Sequence, residues 1–319
     1  MMKLPETVKQ NALSLKERLV DCDICPHRCH VDRTANERGV CRTTDVIPVA
    51  HTGLHHGEEP PLSGRRGSGT IFFANCNLRC VFCQNYQISQ CMDESDARRP
   101  TPEQLAGEML ALQRRGAHNV NLVSPSHVIG QVAESLITAR ERGLTIPFVY
   151  NTNAYDAVDT LRQLDGLIDI YLPDIKYSDD EFGEAYSGVD NYVAASRAAI
   201  AEMHRQVGDL ELDDRGIAQK GVLVRHLVLP EDVAGSEESL SFLASLSKDM
   251  VVSIMSQYSP QFKAHRHPPL GRGITGEEYE QVVDIARELG LKRSYVQGMR
   301  SQRLLFPDFD EDRPFENKQ

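Results

Sequence analysis

The sequence predicts an α/β fold, a partial (β/α)6 TIM-like barrel with a small cysteine-rich N-terminal lobe. Two observations carry the barrel. From Gly69 onward, short β-rich runs alternate with helical ones, the pattern of βα units on a parallel sheet. The chain has 319 residues, 40% of them hydrophobic, which suits one large domain with an appendage. A third observation sets the lobe apart: before Arg66 lies a cysteine-, proline- and glycine-rich stretch with little periodicity, a kind of segment that needs a metal to hold it. The expected division is 1–66 for a cysteine-rich metal-binding lobe, 67–298 for the barrel and 299–319 for a C-terminal tail.

The lobe opens on an amphipathic helix around Val8 to Val20. Six strands are expected at Thr70 to Ala74, Asn119 to Val123, Phe148 to Asn151, Ile168 to Leu172, Val222 to Leu229 and Val251 to Met255. Helical patterns separate them at Pro102 to Arg115, Val128 to Arg142, Tyr155 to Leu164, Tyr192 to Val207 and Ser236 to Ser247. A helix at Thr275 to Leu289 and a short strand near Ser294 to Gln297 extend the series. Asp209 to Lys220, with Asp213, Asp214 and Gly216, breaks the rhythm and reads as a hairpin before the fifth strand. The charged, proline-containing end from Phe306 to Gln319 is expected to fray apart from its aromatic residues.

The formal net charge of -11 leaves no basic excess for a nucleic acid backbone, so no nucleic acid partner is expected. No run of about 18 apolar residues occurs, and Met1 to Asn11 is polar. Neither a membrane span nor a signal peptide is expected, and the location implied is cytoplasmic. In that compartment eight cysteines read better as metal ligands than as disulfides.

Cys76-Asn-Leu-Arg-Cys80-Val-Phe-Cys83 follows the first strand directly, at the C-terminal mouth where barrel chemistry sits. Three thiolates within eight residues can bind three irons of a cubane cluster and leave the fourth open. The competing readings are a zinc site completed by a distant residue and three buried thiols.

The stretch Gly-Ser-Gly-Thr-Ile-Phe-Phe-Ala-Asn-Cys76 through Cys83-Gln-Asn-Tyr resembles the radical S-adenosylmethionine (SAM) superfamily. Within it, the likeness is to proteins related to pyruvate formate-lyase activating enzyme, in the branch with a cysteine-rich N-terminal lobe, and it runs from Cys22 to about Gln297. The resemblance implies a [4Fe-4S] cluster on Cys76, Cys80 and Cys83, with SAM chelating the open iron. Reductive cleavage would give methionine and a 5′-deoxyadenosyl radical that abstracts hydrogen from a substrate. It also implies an external electron donor such as flavodoxin or ferredoxin, and a protein or peptide substrate.

The same resemblance assigns residues. Phe82 occupies the family position near the adenine ring, and is equally readable as a core aromatic. Where many relatives carry Gly-Gly-Glu, this chain has Asn121-Leu-Val-Ser124-Pro125-Ser126-His127, so the methionine amino group would fall to backbone carbonyls and to Ser124 or Ser126; Ser126 also reads as a helix N-cap. The third strand ends in Tyr150-Asn151-Thr152-Asn153, and Asn151 stands where activating enzymes place a cation-binding Asp. Asp174 and Lys176 end the fourth strand, project to one side and match residues that contact SAM; a surface ion pair is the alternative. Arg225, in an apolar strand, requires an anion, either the SAM carboxylate or a protein carboxylate. His226 faces the other way and reads as a core histidine.

Cys22-x2-Cys25-x3-Cys29-x11-Cys41 supplies four thiolates, enough to close a zinc site or hold a second cluster. Cys91 is left over. His55, His56, Glu58 and Glu59 form a loop that reads either as a substrate or proton-transfer site or as a solvated linker. Three functions follow: installing a glycyl radical on a partner enzyme, radical modification of another peptide, protein or small molecule, or a non-catalytic iron–sulfur or zinc scaffold.

Overall fold

The computed structural model describes residues 4–299, 307–311 and 314–315. The chain begins with helix α1 (Glu6–Ser14) and a 3-10 turn (Glu17–Leu19), so the helix expected to reach Val20 breaks after Ser14. Strand β1 (Val49–His55) and the single-turn helix α2 (Pro60–Ser63) follow. Then come β2 (Ser68–Phe73), α3 (Pro102–Arg114), β3 (Val120–Val123), α4 (Ile129–Glu141), β4 (Phe148–Thr152), α5 (Val158–Gln163) and β5 (Ile170–Pro173). The second half adds α6 (Asp180–Ser187), α7 (Tyr192–Val207), β6 (Glu211–Leu212), β7 (Ala218–Leu227), α8 (Ser236–Leu246), β8 (Val251–Met255), α9 (Gly276–Glu288) and β9 (Ser294–Val296).

These strands form one sheet in the order β1-β2-β3-β4-β5-β7-β8-β9, with β6 paired only to β7. From β2 to β9 every neighbour on that path is parallel, and the helices return the chain between them. β2 through β5 and β8 are buried along their whole length, which is why they read as unbroken apolar runs. The sheet is open, and among the described residues no ladder joins β9 back to β1. The α/β order is that of the sequence reading; closure into a barrel is not formed.

Three local departures have physical causes. β1 was expected as loop; it alternates poorly, yet pairs antiparallel with β2 from Val49↔Phe73 to His55↔Ser68, so the sheet begins ahead of residue 66. Leu15, Leu19 and Ile24 likewise join the main core beside Ile129 and Val132 of α4. The helix expected from Tyr155 starts at Val158, because Asp156 is held in the preceding turn by Tyr150 Oη (2.8 Å) and the Thr152 hydroxyl (2.5 Å). The expected hairpin is present: β6 turns through Asp213 and Gly216 onto β7.

β7 has three partners, β6 at Ala218 and Lys220, β5 at Gly221 and Val222, and β8 from Leu223 onward, and Gly221 lies where it passes from the first to the others. Its φ is +115°, and a Cβ there would lie 2.4 Å from the Asp209 carbonyl oxygen and 2.5 Å from Leu210 Cα. Five residues on, His226 is fully buried, with Nδ1 3.1 Å from the Ile175 carbonyl and Nε2 2.9 Å from Ser236 Oγ. It is the satisfied core histidine expected. Burial pushes its pKa down to about 4 from 6.5.

Gly221→Ala should lower stability by at least about 2 kcal/mol through backbone clash and strain. Gly107→Ala, in α3 with open space around the new Cβ, should instead gain about 0.5–1 kcal/mol; urea midpoints at unchanged slope measure both. His226 binds a proton more readily unfolded than folded, so its contribution is complete above pH 6.5 and is lost as pH falls towards 4. The loss is on the order of 3 kcal/mol, and urea midpoints between pH 7 and 4 should show a shallower decline in His226→Gln.

Candidate active site

Parallel pairing brings the carboxyl ends of consecutive strands to one edge of the sheet, and a cavity of about 410 Å³ opens there. It is lined by the loop after β2, by the ends of β3, β4, β5 and β7, and by β8 and β9. Cys76, Cys80 and Cys83 stand on one wall. Phe82, Ser124, Asn151, Asn153, Asp174, Lys176 and Arg225 line the same space, whereas Ser126, the alternative to Ser124, does not.

The cysteine loop is held by its neighbours rather than by regular structure. Beyond β2, Asn75 takes a left-handed φ of 67° and donates its N–H to the Ile88 carbonyl at 2.9 Å, which turns the chain into the loop. Cys76 Sγ accepts from the Leu78 N–H and from Asn153 Nδ2, each at 3.4 Å. Asn153 Nδ2 also reaches Asn77 Oδ1 at 2.8 Å, so this residue orients the loop as well as lining the cavity. Ser187 Oγ lies 3.0 Å from Cys80 Sγ, and Ser89 Oγ 3.1 Å from Cys83 Sγ. Tyr177 Oη lies 2.8 Å from Ser187 Oγ, and a proton donated by Tyr177 would leave that of Ser187 for the sulfur.

Burial pushes the thiols up, Cys76 to about 11 and Cys83 to about 12, with Cys80 moving the same way. Buried thiols of this kind lose their protons when a metal supplies the positive charge. Each also has a hydrogen-bond donor in place for the resulting thiolate sulfur. The donor set therefore fits a multi-iron cluster. Among the described residues no three His, Cys, Asp or Glu side chains converge to hold a single metal ion.

The cavity also carries charge. Lys176 Nζ donates to Asp174 Oδ2 at 2.7 Å, and both side chains are partly buried in the cavity wall rather than forming a surface pair. Burial opposes the Lys176 charge, but Asp174 and Cys80 outweigh it and raise its pKa. Tyr192 on α7 fixes the backbone around the pair: its hydroxyl accepts the Lys176 N–H at 3.0 Å and lies 3.0 Å from both the Asn153 and Asp174 carbonyls. Arg225 has protein carboxylates as its anions. Nε donates to Glu59 Oε1 at 2.8 Å, Nη2 to Glu59 Oε2 at 2.6 Å, and Nη2 also to Glu58. The acidic loop is thus no solvated linker. Burial pushes the Glu59 carboxyl up, yet the Arg225 guanidinium holds it below the usual carboxylate range.

Phe82 packs edge-on against Tyr177 and Tyr258 at 6.4 and 5.9 Å, as a core aromatic does, and also lines the cavity. Ser126 is not a helix cap: α4 begins at Ile129, and Ser126 Oγ lies 2.9 Å from Thr152 Oγ1. Cys91 is exposed. From the C-terminal segment, Pro307 and Phe315 reach the mouth, where Phe315 packs on the His55 ring at 4.1 Å. Sequence reasoning missed Tyr192, Ser187 and Ser89, which act through loops that only tertiary structure brings together.

Arg225→Met should cost about 3–5 kcal/mol, because it leaves Glu58 and Glu59 buried without a counter-charge. Adding Glu59→Gln should recover more than about 1 kcal/mol of that loss. Denaturant unfolding of both singles and the double measures the coupling, and additive losses would show that the pair is not the source.

Residues 70–232 match the family model described as the Radical SAM superfamily. The chain is also similar to an uncharacterized protein of Methanocaldococcus jannaschii, MJ0674, at 33% identity over 300 residues, covering 91% of this chain and 82% of the relative. A second uncharacterized protein of that organism, MJ0808, is 24% identical over 303 residues, covering 88% of this chain and 82% of its own. No helix among the described residues is long and apolar enough to cross a membrane. With the matched segment running from β2 through the cysteine loop and on past β7, the chain belongs to the radical SAM superfamily, which implies an enzyme that cleaves SAM at a [4Fe-4S] cluster.

Proposed function

We propose that Cys76, Cys80 and Cys83 hold the [4Fe-4S] cluster, that the adjoining cavity binds SAM, and that the protein abstracts hydrogen from a glycine Cα of a partner protein, as activating enzymes of glycyl-radical enzymes do. The observation that carries this reading is the shared cavity, which sets three thiols beside the carboxyl ends of the parallel strands. Three thiolates leave one iron of a cubane open to a further ligand. When bound, the cluster and SAM supply a one-electron cleavage that yields methionine and a 5′-deoxyadenosyl radical.

The chain's own residues bind and orient. Asn153, Ser187, Ser89 and the Leu78 N–H donate to the three sulfurs, which fixes the thiolates and tunes their electron density. Glu58 and Glu59 place two carboxyl groups against one guanidinium, and the surplus suits the ammonium and sulfonium of SAM. Phe82 offers the adenine ring an apolar contact, and the Asp174–Lys176 pair presents both a donor and an acceptor. A cavity of about 410 Å³ is at the small end for a ligand site. Filled by SAM, it leaves the substrate to be presented from outside, which suits a segment of a larger protein. The electron is supplied by an external donor such as flavodoxin or ferredoxin.

The test is anaerobic reconstitution with iron and sulfide, reduction, addition of SAM and quantification of 5′-deoxyadenosine. Wild type should produce it, Cys80→Ser should fall to background, and Asn153→Ala should lose about 10- to 100-fold. A glycyl-radical signal on a partner protein in the same mixture would support the substrate assignment. Cluster-loaded protein that makes no 5′-deoxyadenosine with any partner present would sink the reading.

A further inference from the structure

The four N-terminal cysteines form an enclosure of their own. Cys22, Cys25, Cys29 and Cys41 line one narrow pocket, separate from the cavity around Cys76. The segment folds back on itself: the Cys22 N–H reaches the Val31 carbonyl at 3.0 Å and the His30 N–H reaches the Cys22 carbonyl at 2.9 Å. The turn bearing Cys41 closes against Cys29, and Gly39 makes that approach possible, since a Cβ there would sit 2.6 Å from Cys29 Sγ. The Val40 N–H points at the same sulfur, 3.5 Å away.

Charge supplies the second observation. Arg33 lines the pocket and is 1% exposed, yet among the described residues it pairs with no carboxylate. Its guanidinium donates to the Thr44 carbonyl at 3.0 and 2.6 Å, to the His127 carbonyl at 2.8 Å and towards Cys22 Sγ at 3.8 Å. The nearby buried carboxylate, Glu94, is taken by Thr44 and Arg38. Neutral carbonyls satisfy the hydrogen bonds but not the charge, and a buried cation calls for an anion. His127, also buried against the pocket, leaves Nδ1 without a hydrogen-bond partner.

We propose that Cys22, Cys25, Cys29 and Cys41 bind a second iron–sulfur cluster, a [4Fe-4S] centre closed by four protein thiolates, with Arg33 as its buried counter-charge. A zinc tetrathiolate holds each sulfur about 2.3 Å from one point. Here, among the described residues, no three such side chains meet on a point; the four thiols ring a pocket, as the Cys76 trio lines its cavity. That spread suits ligands to separate irons. The two cysteine sets adjoin. His27, from the second pocket, lies 2.7 Å from the Asn77 carbonyl next to Cys76, and Arg79 of the first loop reaches the Val40 carbonyl next to Cys41.

Full-length protein purified without oxygen from iron-supplemented cells tests this by iron, sulfide and zinc content and by the spectrum of the reduced protein. Wild type should carry about eight irons and eight sulfides, and a Cys76→Ala/Cys80→Ala/Cys83→Ala variant about four of each with a reducible cluster signal. One zinc with about four irons in wild type would overturn the cluster assignment. About four irons, no zinc and complete loss of iron in the triple variant would overturn the site. Failure of the active-site reading is distinguishable, because the triple variant would then match wild type.

Discussion

Parallel strand pairing is the constraint on which the rest of this structure depends. Once β2 pairs with β3 and each later strand on the path joins the same way, every carboxyl end emerges at one edge and every return must cross by a helix. The cysteine loop, Ser124, Asn151 to Asn153, the Asp174–Lys176 pair and Arg225 come together for that reason, though they span 150 residues of sequence. The site is the edge of the sheet, and its accuracy is that of the hydrogen-bonded ladder beneath it.

Several polar groups buried along that edge are placed in connected sets. Asp156 receives Tyr150 and Thr152, Asn153 links Asn77 to Cys76, and Tyr192 joins the loops after β4 and β5 through three backbone groups. Each set removes the cost of burying a donor or acceptor only when all its members are present. The loops are therefore as well specified as the strands, without regular secondary structure.

The sequence made the strands legible because burial on both faces leaves continuous apolar runs, and Val251–Met255 was delimited to the residue. β1 escaped notice, since Val49–His55 carries two histidines, a threonine and a glycine and is only partly buried after its first residue. Helix α6 was missed as well: eight residues with Gly183 in the middle give little period to detect. In the site, cysteine spacing singled out the loop after β2 that carries the family's motif, and an apolar strand context identified Arg225 as needing an anion. The identity of that anion was not legible, because Glu58 and Glu59 lie more than 160 residues away and only the folded sheet edge brings them near. Tyr192 and Ser187 carry no local signal at all; a tyrosine at the start of a helix and a serine at the end of another look ordinary until the neighbouring loops are in place.

The span of the Arg225–Glu59 contact also bears on how the molecule is assembled. Contacts between segments so far apart form only after the intervening chain has been ordered, and they are the slow ones to close. The ribosome releases Cys76 to Cys83 long before Arg225, so the cysteine loop exists for a time without the strand ends that complete the cavity it lines. During synthesis the loop has its three cysteines but neither Ser187 nor Asn153 to hold them. The finished geometry around the loop is thereby a late product of synthesis, coupled to completion of the sheet and not to emergence of the cysteines.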